Sequence, residues 1–424
     1  MDIRQIIQQS LDYIEDNLKT EITAAELADM AGFSLFHYYR LFQQATGLPV
    51  MQYILRRRLL HGVYAMKTGA GKTEAALAYG FDTYAGFYKA FYREFGSTPS
   101  AFLEASRAKR PWRIDITKEE TMTVTHKKIA QILKSWGLSH ENITDIYYDG
   151  TGNKNENACY VGDGLVLKHT VDLGKLKKDI EVAKALGDTG LLSAVPVLTT
   201  DGAEYVRDGE LYFVLTRRLP GRQLVSHRFG EGDGRFVGEI VGQLHLALQK
   251  LDACVNEADL LATVRDWALP TAGAALGLSY AFCKEYLDAL TELYPVLPRQ
   301  IIHRDPNPGN IICAEDKWGF IDFELAERNA RIYDPCYAAT AVLSETFGKD
   351  AEGWLTVYRD ILMGYDSVAH LTEAERQAIP YVLLANQFVC VAWFSEQEKY
   401  AEIFEINKKM TLWLVRKFDE LKEF

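Results

Sequence analysis

The sequence predicts a multidomain chain, with an all-α unit holding two helix-turn-helix patterns followed by a larger α+β unit. Three observations carry this. A short-helix, glycine, longer-helix pattern near the start recurs: Ala31-Gly32-Phe33-Ser34 matches Tyr79-Gly80-Phe81-Asp82, and after one extra residue Tyr38–Phe42 matches Phe87–Phe91. From about residue 143 the pattern changes to short apolar runs bounded by Gly and Asn, which read as strands, before turning helical again. The charge is also uneven. Residues 1–113 carry 14 Lys and Arg against 11 Asp and Glu, and the remainder carries 33 against 47.

A length of 424 residues with 48% hydrophobic and 25% charged side chains bounds the chain to two or three ordinary globular domains. No apolar run is expected to reach membrane-spanning length, and the acidic, amphipathic start does not read as a signal peptide. The six cysteines (159, 254, 283, 313, 336 and 390) lack metal-ligand spacing, which suits thiols of a cytoplasmic protein. The nine histidines form no H-x-x-x-H pair. A net positive first part ahead of an acidic remainder is the balance of a nucleic-acid module joined to an acidic enzyme.

Taken in order, Ile3, Ile6, Ile7, Leu11, Ile14 and Leu18 stand at helical spacing. Thr23 caps a short helix that stops at Gly32, and Ser34 opens a second that ends at Gly47. Val50–Lys67 reads as one long helix carrying Arg56, Arg57 and Arg58. The second copy follows, with Gly80 and Gly96 as its stops, and Phe42, Phe87, Phe91 and Phe95 are core positions. The run Thr68-Gly-Ala-Gly-Lys-Thr73 looks like the end of a Walker A loop. A glycine is needed where Met66 stands, and a strand where the pattern is helical, so it reads as the turn into the second helix-turn-helix.

The run from Gly80 to Pro99, G-F-D-x-x-x-x-F-x-K-A-F-x-R-x-F-G-x-x-P, resembles the DNA-binding domain of AraC-type transcription regulators, and the likeness covers nearly all of residues 1–105. The resemblance implies a duplex DNA operator as partner, with two helix-turn-helices entering successive major grooves. It places base-reading positions at Phe36, Tyr39 and Arg40 in the first recognition helix. In the second they fall at Tyr84, Ala85, Tyr88 and Lys89. Arg40 and Lys89 either read guanine or hold phosphate.

Residues 104–122 lose periodicity and become charged around Pro111, so the DNA-binding domain is set at 1–106, a linker at 107–121 and the second domain at 122–424. That domain opens with a helix near His126, then a strand-like stretch over 143–161 and a hairpin into 164–170. Gly150, Gly152 and Asn153 between strands suit either a loop whose backbone N–H groups approach phosphates or a plain hairpin turn. Lys168 in an apolar strand can meet nucleotide phosphates, and Glu181 in the next helix can orient it, with Asp179 a neighbouring candidate. His245 lies on an apolar helix and reads as a packed structural residue.

The stretch His303–Asp322 reads HRDPNPGN, an apolar run, then GFID. Phosphoryl transfer needs a carboxylate to orient the attacking hydroxyl and oxygen ligands for Mg²⁺. Asp305 suits the first task, and Asn310 with Asp322 the second. Ile311-Ile312 and Phe320-Ile321 flank a turn at 314–317, so a hairpin would bring both metal ligands to one end. This stretch resembles the catalytic core of aminoglycoside phosphotransferase and choline-kinase-like small-molecule kinases, with Arg304 in place of the usual glycine and Asp334 matching a further aspartate before a helix. The resemblance implies a two-lobed, protein-kinase-like α+β domain with a hinge near Thr216–Gly221. It also implies ATP (or GTP) with Mg²⁺ between the lobes and a small-molecule hydroxyl as acceptor. The alternative is a pure regulator whose kinase-like part senses a small molecule or nucleotide without turnover. The acceptor, the operator, activation or repression, and self-association stay open.

Overall fold

The computed structural model describes residues 3–104, 108, 110–117, 124–139, 141–147, 154–226, 229–230, 232–251, 255–315, 317–348, 350–397 and 400–423. By contact density the chain divides into two units, Met1–Asp172 with Val197–Leu215, and Leu173–Pro196 with Thr216–Phe424. One dividing point, Leu215/Thr216, falls at the start of the expected hinge.

In the first unit, α1 (Ile3–Asn17), α2 (Ala24–Met30), α3 (Leu35–Thr46), α4 (Val50–Lys67), α5 (Lys72–Ala78), α6 (Tyr84–Phe95) and α7 (Pro99–Glu104) realise the doubled pattern. The caps are those the sequence offers. Thr23, Ser34 and Thr83 accept N–H groups of the first turns of α2, α3 and α6, and Gly47 and Gly96 close α3 and α6 in the left-handed conformation. Two apolar cores result. The first joins α1, α2, α3 and the start of α4 around Ile7, Leu11, Phe42 and Tyr53. The second joins the rest of α4 to α5, α6 and α7 around Leu59, Phe87, Phe91 and Phe102. Phe95 is partly buried against the second. Gly62 has a packing reason, since a Cβ there would stand 2.7 Å from the Phe87 ring.

The arginine triplet is spent inside this unit rather than on an outer face. Arg56 pairs with Glu94 on α6 at 2.9 Å. Arg57, 4% exposed, meets both oxygens of Glu15 at 2.5 and 2.9 Å and the Trp112 carbonyl at 2.6 Å. Arg58 donates to the Leu18 and Thr20 carbonyls at 2.9 and 2.5 Å. The expected linker is likewise engaged. Gln8 on α1 accepts the Ile116 N–H at 2.8 Å and donates to the Ile114 carbonyl at 3.0 Å, while Ile116 enters the first core. Residues 110–117 are thus a strap on α1.

After α8 (His126–Ile132) comes a five-stranded sheet in the order β1-β2-β3-β5-β4, formed by β1 (Ile143–Tyr147), β2 (Lys154–Val161), β3 (Leu165–Thr170), β4 (Val206–Asp208) and β5 (Leu211–Arg217). Ile129, Leu133 and Trp136 cover one face over Leu167, Phe213 and Leu215. Between β3 and β4 lies α9 (Leu173–Gly187), which belongs to the second unit.

The second unit holds β6 (Arg222–Gln223), α10 (Asp233–Leu248), β7 (Asn256–Glu257), α11 (Leu260–Thr263), α12 (Leu269–Leu276) and α13 (Tyr280–Leu293). These are followed by β8 (Arg299–Ile302), β9 (Ile311–Cys313), β10 (Trp318–Phe320), β11 (Glu327–Ala330), α14 (Tyr333–Thr346), α15 (Trp354–Val368), α16 (Glu373–Ser395), α17 (Ala401–Arg416) and α18 (Phe418–Leu421). Two three-stranded sheets, β10-β9-β6 and β7-β11-β8, sit within the helices. On α10 the stripe Gly234, Gly238, Gly242 lets α15 approach backbone to backbone. A Cβ on Gly238 would overlap the Ile361 carbonyl and stand 2.7 Å from the Tyr365 nitrogen. By length and composition, and against expectation, α16 is apolar enough to cross a membrane; 67% of its apolar window is buried inside the protein, as in a helix at the centre of a core.

Candidate functional site

The site grows from β8. Its last residue, Ile302, delivers His303, whose Nε2 donates to the Ile321 carbonyl at 3.1 Å and whose Nδ1 accepts the Asp305 N–H at 3.3 Å. Asp334, fully buried in the first turn of α14, fixes the same loop from the other side. Its Oδ2 accepts the His303 N–H at 2.7 Å and its Oδ1 the Arg304 N–H at 2.9 Å. Buried His245 of α10 donates from Nε2 to Asp334 at 2.9 Å, and its Nδ1 meets the Tyr365 hydroxyl at 2.7 Å. The glycine stripe on α10 is what brings His245 and Tyr365 within reach.

Arg304 shows why glycine suits its position, because φ is +76°, the left-handed region. The side chain offsets that strain: it pairs with Glu327 at 2.9 Å, bonds the Tyr333 hydroxyl and lies over the Tyr333 ring at 4.5 Å. Asp305 follows. Its carboxylate accepts Asn307 Nδ2 at 2.8 Å, Asn310 Nδ2 at 3.1 Å and the Tyr337 hydroxyl. Burial pushes its pKa up. Hydrogen bonds from Asn307 and Tyr337 and the nearness of His303 pull it back in part, and the charge of Asp322 pushes it up again.

The hairpin forms as expected. Ile311, Ile312 and Cys313 pair with Phe320, Gly319 and Trp318, and the Ala314 N–H closes the turn on the Lys317 carbonyl at 2.8 Å. The Ile321 N–H reaches the Asn310 carbonyl at 3.0 Å, so Asn310 and Asp322 share one end of it. Asn310 commits its amide nitrogen to Asp305, which leaves Oδ1 as its side-chain acceptor. Asp322 lies in the left-handed region at φ +75°. An amide oxygen and a carboxylate are hard donors. Two of them suit Mg²⁺, which completes its shell with water and phosphate oxygens. Among the described residues no group of three or more His, Cys, Asp or Glu forms an all-protein metal cage.

Lys168 is half-buried on β3 opposite Ala158, with Leu167 and His169 buried on either side, so it points away from the face that α8 covers. Gly150, Gly152 and Asn153 lie outside the described residues. Glu181 is exposed on α9. Its neighbour Asp179 accepts the Phe323 N–H at 2.8 Å in the turn after Asp322. In the first unit, Phe36, Tyr39 and Arg40 are exposed on α3, Ala85, Tyr88 and Lys89 are exposed on α6, and Tyr84 is half-buried. Apart from Tyr84, which packs against the second core, the expected base-reading positions lie on exposed faces of α3 and α6, while Tyr38, Phe42, Phe87 and Phe91 of the same helices are buried.

Residues 151–371 match the family model described as a phosphotransferase enzyme family, slightly more than half of the chain. The chain belongs to the phosphotransferase enzyme family. Ahead of that region, residues 27–105 match a helix-turn-helix domain of AraC type. The transcriptional regulator Rob of Salmonella typhimurium is 27% identical over 158 residues, which is 35% of this chain and 55% of that protein. The chain therefore spans about half the length of this relative. Among solved structures, a microcompartment-associated aminopropanol kinase shares the fold at a TM-score of 0.55 and 15% identity, over 70% of this chain and 99% of its own. The amicoumacin kinase hAmiN, in complex with AMP-PNP, Ca²⁺ and Ami, shares it at 0.50 and 14%, over 68% and 96%.

In this member of the family, three residues of the site have roles that the sequence alone does not show. Asp334 was visible only as a matching aspartate, and its work as clamp of the His303-Arg304 backbone needs the fold. His245 is packed, as expected, but packed onto that clamp. Tyr337 sits one helical turn beyond Asp334 on α14, a spacing that places both on the face toward the loop.

Proposed function

We propose that this protein transfers the γ-phosphoryl group of ATP, with Mg²⁺, to a hydroxyl of a small molecule, and that its AraC-type part binds operator DNA to regulate transcription. The observation that carries the first half is the loop clamp, in which Asp334 holds the backbone of His303 and Arg304 so that the carboxylate of Asp305 has one orientation. Bound nucleotide and Mg²⁺ supply the transferable group and shield its charge. Asp305 orients the acceptor hydroxyl and takes its proton. Asn310 Oδ1 and Asp322 hold the metal, and Lys168 holds phosphates. Two structural neighbours are kinases of small molecules by name, and one was solved with a nucleotide analogue and a divalent cation, which supports nucleotide and metal use here.

For DNA, Arg40 and Lys89 stand outward on helices whose inner faces are locked, as base or phosphate contacts require. The test of the catalytic reading is ADP release by the full chain across a panel of small hydroxyl compounds. At least one compound should stimulate release in a Mg²⁺-dependent way and emerge phosphorylated. Nucleotide binding without turnover on any of them would point to a sensor instead.

A further inference from the structure

The outward face of α3 is apolar. Leu35, Phe36 and Tyr39 are exposed on it, Phe36 to 82%, and the Phe36 ring does not join the first core, although Tyr38 and Phe42 of the same helix do. Arg40 stands one turn beyond Phe36 on that face. No acidic residue interrupts it, because α3 contains none. The one acid of α6, Glu94, is turned to Arg56, so the exposed charges of the two second helices are Arg40, Lys89 and Arg93. In a chain of net charge −11, faces of this kind are matched to an anion.

A helix-turn-helix sets the N-terminal residues of its second helix against base edges in the major groove. Phe36 is the second residue of α3. Base pairs present donors and acceptors in that groove, with one apolar exception, the 5-methyl group of thymine. A phenylalanine ring has no hydrogen-bonding group to offer, and contact with that methyl is the base-specific interaction open to it. The second copy differs at this point. In the register that sets Tyr38–Phe42 on Phe87–Phe91, Tyr39 falls on Tyr88 and Arg40 on Lys89, but Phe36 falls on Ala85. Ala85 is exposed at the second position of α6, yet its side chain is shorter by a whole ring.

We propose that Phe36 is a specificity-determining residue that reads a thymine through its 5-methyl group, in the half of the operator entered by α3, and that the half entered by α6 lacks this ring contact. The inference rests on the DNA-binding reading of the helix-turn-helix part. It adds what the first helix recognises and why the two half-sites differ. A second copy of the chain is the other candidate for this face, but two such faces meeting would bring like charges together.

The experiment uses the full chain and a duplex that the protein itself selects from a random library. Each thymine of that duplex is replaced singly by deoxyuridine, which lacks the methyl and keeps every hydrogen-bonding group. Loss of one buried methyl should weaken binding about four-fold at a thymine in one half of the site. Phe36→Ala should abolish that loss, so that the two duplexes bind equally, while Phe36→Leu, which stays apolar, should keep part of it. Each ratio is taken within one variant, so a change in folding stability cancels from it. Binding that ignores every replacement overturns the proposal, and so does a loss that persists in full in Phe36→Ala; both results leave DNA binding standing. A dimer in sedimentation that Phe36→Ala dissolves gives the face to a second copy and overturns the proposal too. Failure of the wild-type protein to select any duplex refutes the DNA-binding reading, and this inference with it.

Discussion

At the scale of single residues, Asp305 is the proposed catalytic carboxylate, and its surroundings would set when it works. Burial, reinforced by the charge of Asp322, holds its carboxyl above the ordinary range. The ionised form that orients a hydroxyl is complete above that raised value and is lost as pH falls through it. The acid limb of kcat/KM should therefore lie above the value of about 3.9 expected of a free aspartate. A pH–rate profile checks this, and a limb at or below the free value contradicts it. Arg304 gives a second expectation. Glycine there would relieve a left-handed strain of about 1–2 kcal/mol. It would also strip Glu327 of its partner and Tyr333 of its stacked cation, in a region where an abandoned charge costs about 3–5 kcal/mol. Arg304→Gly should thus be destabilised by roughly 1–4 kcal/mol in chemical denaturation. Equal or greater stability would mean that the contacts of Arg304 contribute no more than the strain they offset.

Among elements, the close pairing of α10 with α15 supports the loop clamp. Gly238→Ala must push the helices apart, because its Cβ meets backbone, which cannot rotate away. It should cost at least the 1–3 kcal/mol typical of overpacking and lower turnover through His245 and Asp334. Thermal unfolding and kcat check the two effects. In α1 and α4, burial pushes the pKa of Glu15 up, but hydrogen bonds and charge from His61 and Arg57 outweigh it, so the net shift is downward. A lowered folded pKa means that this stability is present above the unfolded pKa of Glu15, about 4.3, and is lost as pH falls through the folded value. Much of this level was legible in sequence. Capping residues placed the starts of α2 and α3, the helical pattern between the two copies placed α4 at its observed ends, and the hairpin at Asn310 and Asp322 followed from two apolar pairs around a turn. The destination of Arg56–Arg58 was not legible, because a basic run looks the same whether it faces DNA or, as here, Glu15, Glu94 and backbone carbonyls.

For the whole molecule, the order of a helical part and an α+β part was readable from periodicity, and the candidate catalytic stretch from its spacing. The strap was not: residues 110–117 lack periodicity, yet they lie on α1 because Gln8 offers a donor and an acceptor and Ile116 finds a core. A DNA-binding fragment ending at 104 should be less stable than one ending at 117 by about 1.5–3 kcal/mol, the worth of one buried isoleucine. The longer fragment should bind duplex DNA with an affinity that falls steeply with salt, since Lys and Arg contacts displace counterions. Arg40→Ala should cost about 1–3 kcal/mol at a specific site if it reads a base, and equally on random DNA if it holds phosphate. We propose a working phosphotransferase centred on Asp305. Its most direct test compares nucleotide binding and phosphoryl transfer in the wild-type protein, Asp305→Ala and Asp322→Ala, with the acceptor found by ADP release. Asp305→Ala should bind ATP within a few-fold of wild type and transfer nothing measurable, while Asp322→Ala should lose Mg²⁺-dependent ATP binding as well. Wild-type turnover in both variants would contradict the account.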